Sequence, residues 1–471
     1  MAIDTAHRPT PNTGAAPRVI PPRQRFRRRS IAADLLVAVC WASAAIAVAL
    51  FLATGGTSQF SGIANITTSL GIVAGLIGTD LVLVMLVLAA RLPFIDRTVG
   101  HDRAMATHRS LGKPALYLLL AHGVLLLIGY GMSAGFSPIA EIGQLWAIPD
   151  MPLAFIGLGL LVLVVITSLV AVRRKFPYEV WHVIHLLSYA AVIVALPHQL
   201  SVGGMLATGP ARVYWIALYA AALGSIGVFR FIVPTVRSLR HDIRVTGVEV
   251  VAPGVFSIHL GGRQLRALRS AGGQFFVWRF WTGSTWWHSH PISLSAVPTD
   301  TSARITVREL GKGTGRLSTL PVGTRVSIEG PYGLFTDAAR TSPRLAVVAA
   351  GIGITPIRAL LEQSPLARGE ATVLLRGRSV EELYLLPEIE ALADRSETRV
   401  YTSVGSRGNT VRPWLSAADA ERGVSLRSVF PHLLQSDLYI CGPLPWTTLV
   451  EAEALAAGMP AHQIHSERFE L

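Results

Sequence analysis

Six long apolar stretches, roughly 31–53, 69–90, 114–132, 152–172, 180–199 and 211–233, fill the first half of the 471-residue chain. Each approaches the ~20 residues that carry a helix across a ~30 Å hydrocarbon core. The first is too long, and its flank too poor in a cleavage site, for a removable signal peptide. From Arg237 onward short β-rich runs alternate with Gly/Pro turns, and no later apolar run is long enough to span. A membrane half is therefore followed by a soluble half. With 51% apolar and only 15% charged residues, the chain is neither disordered nor an ordinary soluble enzyme. Its two cysteines, Cys40 and Cys441, exclude a disulfide framework and any thiolate-ligated zinc or iron–sulfur site.

The net charge of +13 is unevenly placed. Arg8, Arg18, Arg23, Arg25, Arg27, Arg28 and Arg29 crowd the N-terminal arm. Arg91, Arg97, Arg103, Arg109 and Lys113 follow the second stretch; Arg173, Arg174 and Lys175 follow the fourth. The alternate loops, 54–68, 133–151 and 200–210, hold no lysine or arginine. Positive charge marks the cytoplasmic side, so the expectation is a multi-pass plasma-membrane protein with both termini in the cytoplasm. Topology accounts for the basic arm, and no nucleic-acid partner is expected.

Ionisable side chains inside spans are costly and by default functional. His108 and His122 lie fourteen residues apart on the third span, which places both rings on nearly one side, about 21 Å apart along the axis. His185 and His198 lie thirteen apart on the fifth, about 19.5 Å. Both spans start from the cytoplasmic side. His108 therefore matches His185 in depth, and His122 matches His198. Two stacked imidazole pairs are what two haems need for bis-histidine ligation; interhelical hydrogen bonding is the plainer reading. Thirteen residues also leave an ideal helix about 140° out of phase, so the fifth span is expected to kink or bulge, with Pro197 the cause. His182, three residues before His185, is the competing ligand. His101 reads as solvated in a polar loop.

In the soluble half, strands at 242–250 and 254–260 and the turn Gly-Gly-Gln-Phe at 272–275 indicate a small antiparallel barrel. The segment His290-Pro291-Ile292-Ser293-Leu294-Ser295 offers hydroxyls and backbone to a flavin. Gly311, Gly313, Thr314 and Gly315, at the start of a short helix, allow a pyrophosphate to approach backbone N–H groups. Strand 345–350 then runs into Gly351-Ile352-Gly353-Ile354-Thr355-Pro356, where a second pyrophosphate could sit at a helix start. This is not the full dinucleotide fingerprint, since its sixth position is proline. Further strands at 371–376, 398–404 and 437–441 follow, the last ending in Cys441-Gly442-Pro443 at the carboxyl edge of a parallel sheet, where ligands of such folds bind.

Together these residues resemble the ferric reductase / NADPH oxidase superfamily over nearly the whole chain beyond residue 30. The resemblance implies a multidomain protein: a six-helix transmembrane bundle, then an antiparallel β-barrel FAD domain, then an α/β parallel-sheet nucleotide-binding domain. The corresponding ranges are 1–30 for the arm, 31–236 for the bundle, 237–340 for the barrel and 341–471 for the nucleotide domain. It implies FAD, NAD(P)H and two haem b, with His108, His122, His185 and His198 as iron ligands at the family's spacings. His290, Pro291, Ile292 and Ser293 match its His-Pro-Phe-Thr/Ser segment, with Ile292 replacing the aromatic. By resemblance His290 and Ser293, with Ser295 near them, contact FAD, and Gly311, Gly313 and Thr314 hold its pyrophosphate. Gly351, Gly353, Ile354, Thr355 and Pro356 match the nicotinamide-dinucleotide loop. Cys441, Gly442 and Pro443 match the family's Cys-Gly-Pro turn at the nicotinamide. Phe469 matches its C-terminal aromatic near the flavin, although Glu470 and Leu471 follow it here. Arg376 and Arg378, just after the second strand of the nucleotide domain, favour NADPH over NADH, because guanidinium forks suit a 2′-phosphate.

The expected activity is electron transfer from cytoplasmic NAD(P)H through FAD and two haems to an outer acceptor. The acceptor choices are a ferric chelate, which the short outer loops favour, dioxygen, or a quinone or periplasmic protein. Membrane lipid is the surrounding partner, and no protein partner is required. A transporter using its histidines as a proton relay is the contrasting class, and it leaves the soluble half unexplained.

Overall fold

The computed structural model describes residues 22–53, 60–202, 204–283 and 285–469. Residues 1–21 of the basic arm, with Arg8 and Arg18, lie outside them, as do Glu470 and Leu471. The first half is helical: α1 (Pro22–Ala53), α2 (Ile63–Ala89), α3 (Pro93–Thr98), α4 (His101–Ala134), α5 (Pro138–Trp146), α6 (Met151–Ser168), α7 (Val170–Arg173), α8 (Tyr178–Ser201), α9 (Gly209–Ile226) and α10 (Val233–His241). A π-helical turn, Gly227–Ile232, joins α9 to α10. Among the described residues six helical segments are long and apolar enough to cross a membrane, and they overlap the six stretches.

Local signals set several ends. α4 stops where Gly135 turns left-handed at φ 75°. α5 starts at Ser137, whose hydroxyl accepts from the Ala140 N–H (3.2 Å), with Pro138 in the first turn. Large apolar side chains such as Leu35, Trp41, Val183, Ile193, Val213 and Phe231 are exposed on the outside of the bundle. In water this would be unfavourable; in hydrocarbon it is neutral, and the helices cohere by close packing instead. Gly71 and Gly78 of α2 provide it, each lying against leucines of α4. The expected bulge in the fifth span is absent: α8 runs as unbroken α-helix through Pro197. The irregular turn lies in the sixth span, at 227–232.

The second half begins with two three-stranded antiparallel sheets, ordered β1-β2-β5 and β4-β3-β6. Their strands are β1 (Arg244–Ala252), β2 (Val255–Gly261), β3 (Phe275–Phe280), β4 (His290–Ser293), β5 (Ser302–Arg308) and β6 (Val326–Tyr332). Strict alternation on β3 sends Phe276, Trp278 and Phe280 into the barrel core. A parallel sheet follows, ordered β11-β10-β7-β8-β9: β7 (Arg344–Ala350), β8 (Ala371–Gly377), β9 (Arg399–Val404), β10 (Ser436–Pro443) and β11 (Ile464–Phe469). β7 is apolar without alternation because both faces are covered. Leu345, Val347 and Ala349 pack into one core, and Ala346, Val348 and Ala350 into another on the opposite side. The carboxyl ends of β7 and β10 therefore lie side by side at the switch point of the strand order, where ligands of such folds bind.

Candidate functional site

Histidines of α4 and α8 come together at two levels, His108 with His185 in ring contact and His122 with His198 on the wall of one cavity. His108 and His185 have ring centroids 6.2 Å apart. Two imidazoles sharing one metal through nitrogens at ~2.0–2.1 Å have centroids roughly 6 Å apart. His108 Nδ1–H donates to the Met85 carbonyl (3.0 Å) and His122 Nδ1–H to the Gly71 carbonyl (2.8 Å), both on α2. A carbonyl can only accept, so each ring is fixed as the tautomer whose Nε2 is a free base. His185 stacks on Trp181 (5.0 Å, 25°). Its Nδ1 lies 3.4 Å from the Ser168 hydroxyl, whose own hydrogen goes to Val164 O (2.7 Å). Arg173 covers the same Trp181 ring at 4.6 Å. His182 stands outside both pairs, with Arg230 and Arg279 as its charged neighbours.

His122 and His198 line one cavity of about 870 Å³, with Gly75, Phe51, Trp215 and Tyr219 among its walls. The donor set fits a haem. Among the described residues no cluster of three His, Cys, Asp or Glu could hold a bare ion, whereas a macrocycle that brings its own in-plane nitrogens needs only an axial pair.

Gly75 is a site residue that sequence reasoning missed: a Cβ there would overlap the His122 ring. The small-residue spacing of Gly71, Gly75 and Gly78 carried that signal. Asp80 was also missed, although a carboxylate in an apolar stretch is conspicuous. It is 1% exposed, accepts from Ser43 Oγ (2.5 Å), and its Oδ2 has no hydrogen-bond partner among the described residues. His101 is not in a solvated loop. It opens α4 and stacks on Tyr332 of the barrel (5.5 Å, 26°).

In the barrel, His290 and Ser293 begin and end β4. Both are buried, and His290 Nε2 and Ser293 Oγ have no hydrogen-bond partner among the described residues. Such orphaned polar atoms call for a ligand. The pKa of His290 is lowered to about 4, chiefly by burial and then by His288, so the ring is neutral at pH 7. Pro291 and Ile292 pair with Val277 and Phe276 across the strand. Gly313 faces His290, where a Cβ would stand 3.8 Å from Cε1. The Thr314 hydroxyl accepts from Leu310 N (2.8 Å) and donates to Gly311 O (3.2 Å), so it shapes the glycine turn. Ser295 is fully buried, and its hydroxyl accepts from Arg304 Nε (3.1 Å) and Thr306 Oγ1 (2.9 Å), which ties it into the barrel.

At the carboxyl edge of the parallel sheet, Gly351 takes φ 55° and Gly353 packs against the Cys441 carbonyl so closely that any side chain would collide. Ile354 and Pro356 are buried at the start of α11 (Ile354–Gln363), and Thr355 donates to Ile352 O (3.0 Å). Cys441 is corrected as a lining residue. It is fully buried in the apolar core, and burial pushes its thiol pKa well up. Gly442 is buried beside it, against the Trp446 ring, and only the partly buried Pro443 opens from that turn. Arg376 is corrected as a phosphate clamp: its guanidinium is buried and donates to the carbonyls of Ser403 (3.2 Å), Gly405 (2.6 Å) and Gly377. Arg378 remains exposed. Arg407, unnoticed in the sequence, lies near it, its pKa lowered by partial burial and then by the charge of Arg378. The Phe469 backbone pairs with Pro443 at the end of β11; its side chain lies outside the described residues. Glu467, two residues earlier and paired with Cys441, has its pKa pushed up to about 8, by burial first and then by Asp102.

Residues 74–196 match the family described as ferric reductase like transmembrane component. The chain resembles a flavohemoprotein of Xylella fastidiosa, 29% identical over 206 residues, covering 42% of this chain and 50% of that protein. It also resembles ferredoxin–NADP reductase B of Sorangium cellulosum, 32% identical over 178 residues, covering 35% of this chain and 70% of that protein. The chain spans about half the length of most curated relatives it matches. Among solved structures, the flavohem-like FAD/NAD-binding domain of nitric oxide dioxygenase from Vibrio cholerae matches at 24% identity and TM-score 0.40, over 49% of this chain and 99% of that one.

Proposed function

We propose, from the premise that the chain belongs to the ferric reductase-type fusions, a ferric-reductase-like transmembrane component joined to a ferredoxin-reductase-like module, that this membrane oxidoreductase carries electrons from NADPH across the membrane to a ferric chelate. The observation that carries the reading is the contact of His108 with His185, with His122 and His198 lining one cavity, in a chain that also holds a barrel and a five-stranded parallel sheet. When bound, a flavin would supply hydride acceptance, and haems held by His108, His185, His122 and His198 would supply single-electron transfer.

The chain's own residues bind, orient and exclude water. Met85 and Gly71 hold the α4 imidazoles by their Nδ1–H. Neutral His290 and Ser293, with Gly311 and Gly313, would receive FAD. Gly351, Gly353 and the Gly442–Pro443 turn would receive the dinucleotide, and Arg378 with Arg407 the 2′-phosphate. Phe469 would lie by the flavin. The unit ranges are 31–236, 237–340 and 341–471, in the cytoplasmic membrane with both termini inside, on the distribution of arginine and lysine.

The test is anaerobic reduction of a ferric chelate by vesicle-reconstituted chain, with NADPH and NADH compared, followed by superoxide yield in air. Fe(II) formation well above superoxide, faster with NADPH, is the expected result. Superoxide as the main product would make the chain an oxidase instead. Fe(II) formation as fast with NADH would remove the 2′-phosphate assignment.

A further inference from the structure

The seam between the membrane bundle and the barrel is organised around one carboxylate. Glu329 on β6 accepts from Arg91 Nη1 (2.9 Å) and Arg230 Nη1 (2.8 Å), both at Oε2. The three side chains are 19%, 20% and 26% exposed, so the group is largely desolvated. An exposed ion pair would carry little weight. Here both arginines stand on backbone that departs from helix. Arg91, just past the end of α2, has φ 58°, a left-handed conformation that disfavours a side chain. Arg230 sits inside the π-turn 227–232, a feature that clusters at functional sites. Two separate helical irregularities thus aim two guanidiniums at one oxygen of the other half. Arg91 also lies over the Tyr332 ring (5.2 Å), which stacks on His101 at the head of the helix that carries His108 and His122. Arg237 donates to the Gly330 carbonyl on the same strand.

We infer that Glu329, gripped by Arg91 and Arg230, is the pin that positions the flavin-binding barrel on the membrane bundle and so sets the rate of electron transfer to the inner histidine pair. This rests on the proposed electron route. These are positioning residues: none touches a reacting atom. In the step they govern, one electron leaves the reduced flavin and reduces a ferric iron, and no bond forms or breaks. A small misplacement of reacting groups costs up to ~100-fold in rate.

The test uses full-length chain in nanodiscs, loaded with FAD and haem and mixed anaerobically with NADPH. Flavin bleaching and haem reduction are followed separately, and hydrogen exchange over 91–100 and 326–335 is measured without NADPH. Glu329→Gln is expected to leave bleaching within ~2-fold, to slow haem reduction at least ~10-fold, and to raise exchange at the seam. Arg230→Gln is expected to behave alike, and Arg230→Lys to recover most of the rate. Unchanged haem reduction and exchange in both glutamine variants would overturn the pin. So would parallel loss of both steps with loss of flavin, which marks a merely structural role. If wild-type chain bleaches its flavin but never reduces haem, the electron route itself fails, and with it the role in transfer.

Discussion

Gly75 of α2 lies flat against the His122 ring of α4, with no room between them for even a methyl group. Four residues earlier on the same helix, the Gly71 carbonyl accepts the His122 Nδ1–H (2.8 Å). One face of α2 therefore sets both the distance and the tautomer of a ligand on its neighbour.

Gly75→Ala is accordingly expected to displace the His122 ring, at an overpacking cost of about 1–3 kcal/mol, and to lower haem content from two per chain toward one. Gly112→Ala on α4 is the control, because its Cβ would meet only Met85 Cε at 3.7 Å. Pyridine haemochrome assay of the purified variants checks this; equal haem in Gly75→Ala and wild type would contradict it.

The two arginines after β8 are expected to separate by phenotype. Arg376→Ala strands buried carbonyls, each costing about 1–3 kcal/mol, so its Tm should fall whichever coenzyme is supplied. Arg378→Ala should leave Tm in place and raise KM for NADPH roughly 10-fold while sparing NADH. Steady-state kinetics with both coenzymes, beside thermal melts, tests the pair; a coenzyme-selective effect from Arg376→Ala would reverse the assignment.

Glu467 gives a pH signature. Its pKa is raised from the ordinary 4.5 to about 8, mainly by burial. Between those values the folded chain keeps a proton that the unfolded chain has released. Its contribution to stability is therefore full below about 4.5 and is lost as pH rises through about 8. Glu467→Gln should flatten the decline of Tm across that window, and an unchanged slope would show that the carboxyl is ionised when folded.

The six spans and the parallel strands were legible because apolar run length and periodicity report burial directly, as the alternation-free β7 illustrates. The pairing of His108 with His185 was legible because helical rise converts spacing into depth. The seam was not: Arg91 and Glu329 stand 238 positions apart, and neither a left-handed arginine nor a π-turn leaves a mark in composition. Arg376 and Cys441 misled for a related reason. Each has the right chemistry at a carboxyl-edge position, but Arg376 turns its side chain to the strand carbonyls and Cys441 to the core. Which way a side chain turns at a strand end is decided by neighbours far away in sequence.

The most direct measurement of the central claim is the dithionite-reduced minus oxidised spectrum of purified chain, with haem counted per polypeptide, for wild type and His122→Ala. The account predicts two b-type haems falling to one, with the His108–His185 signal retained. A chain without haem, or a variant whose haem content does not change, would contradict it.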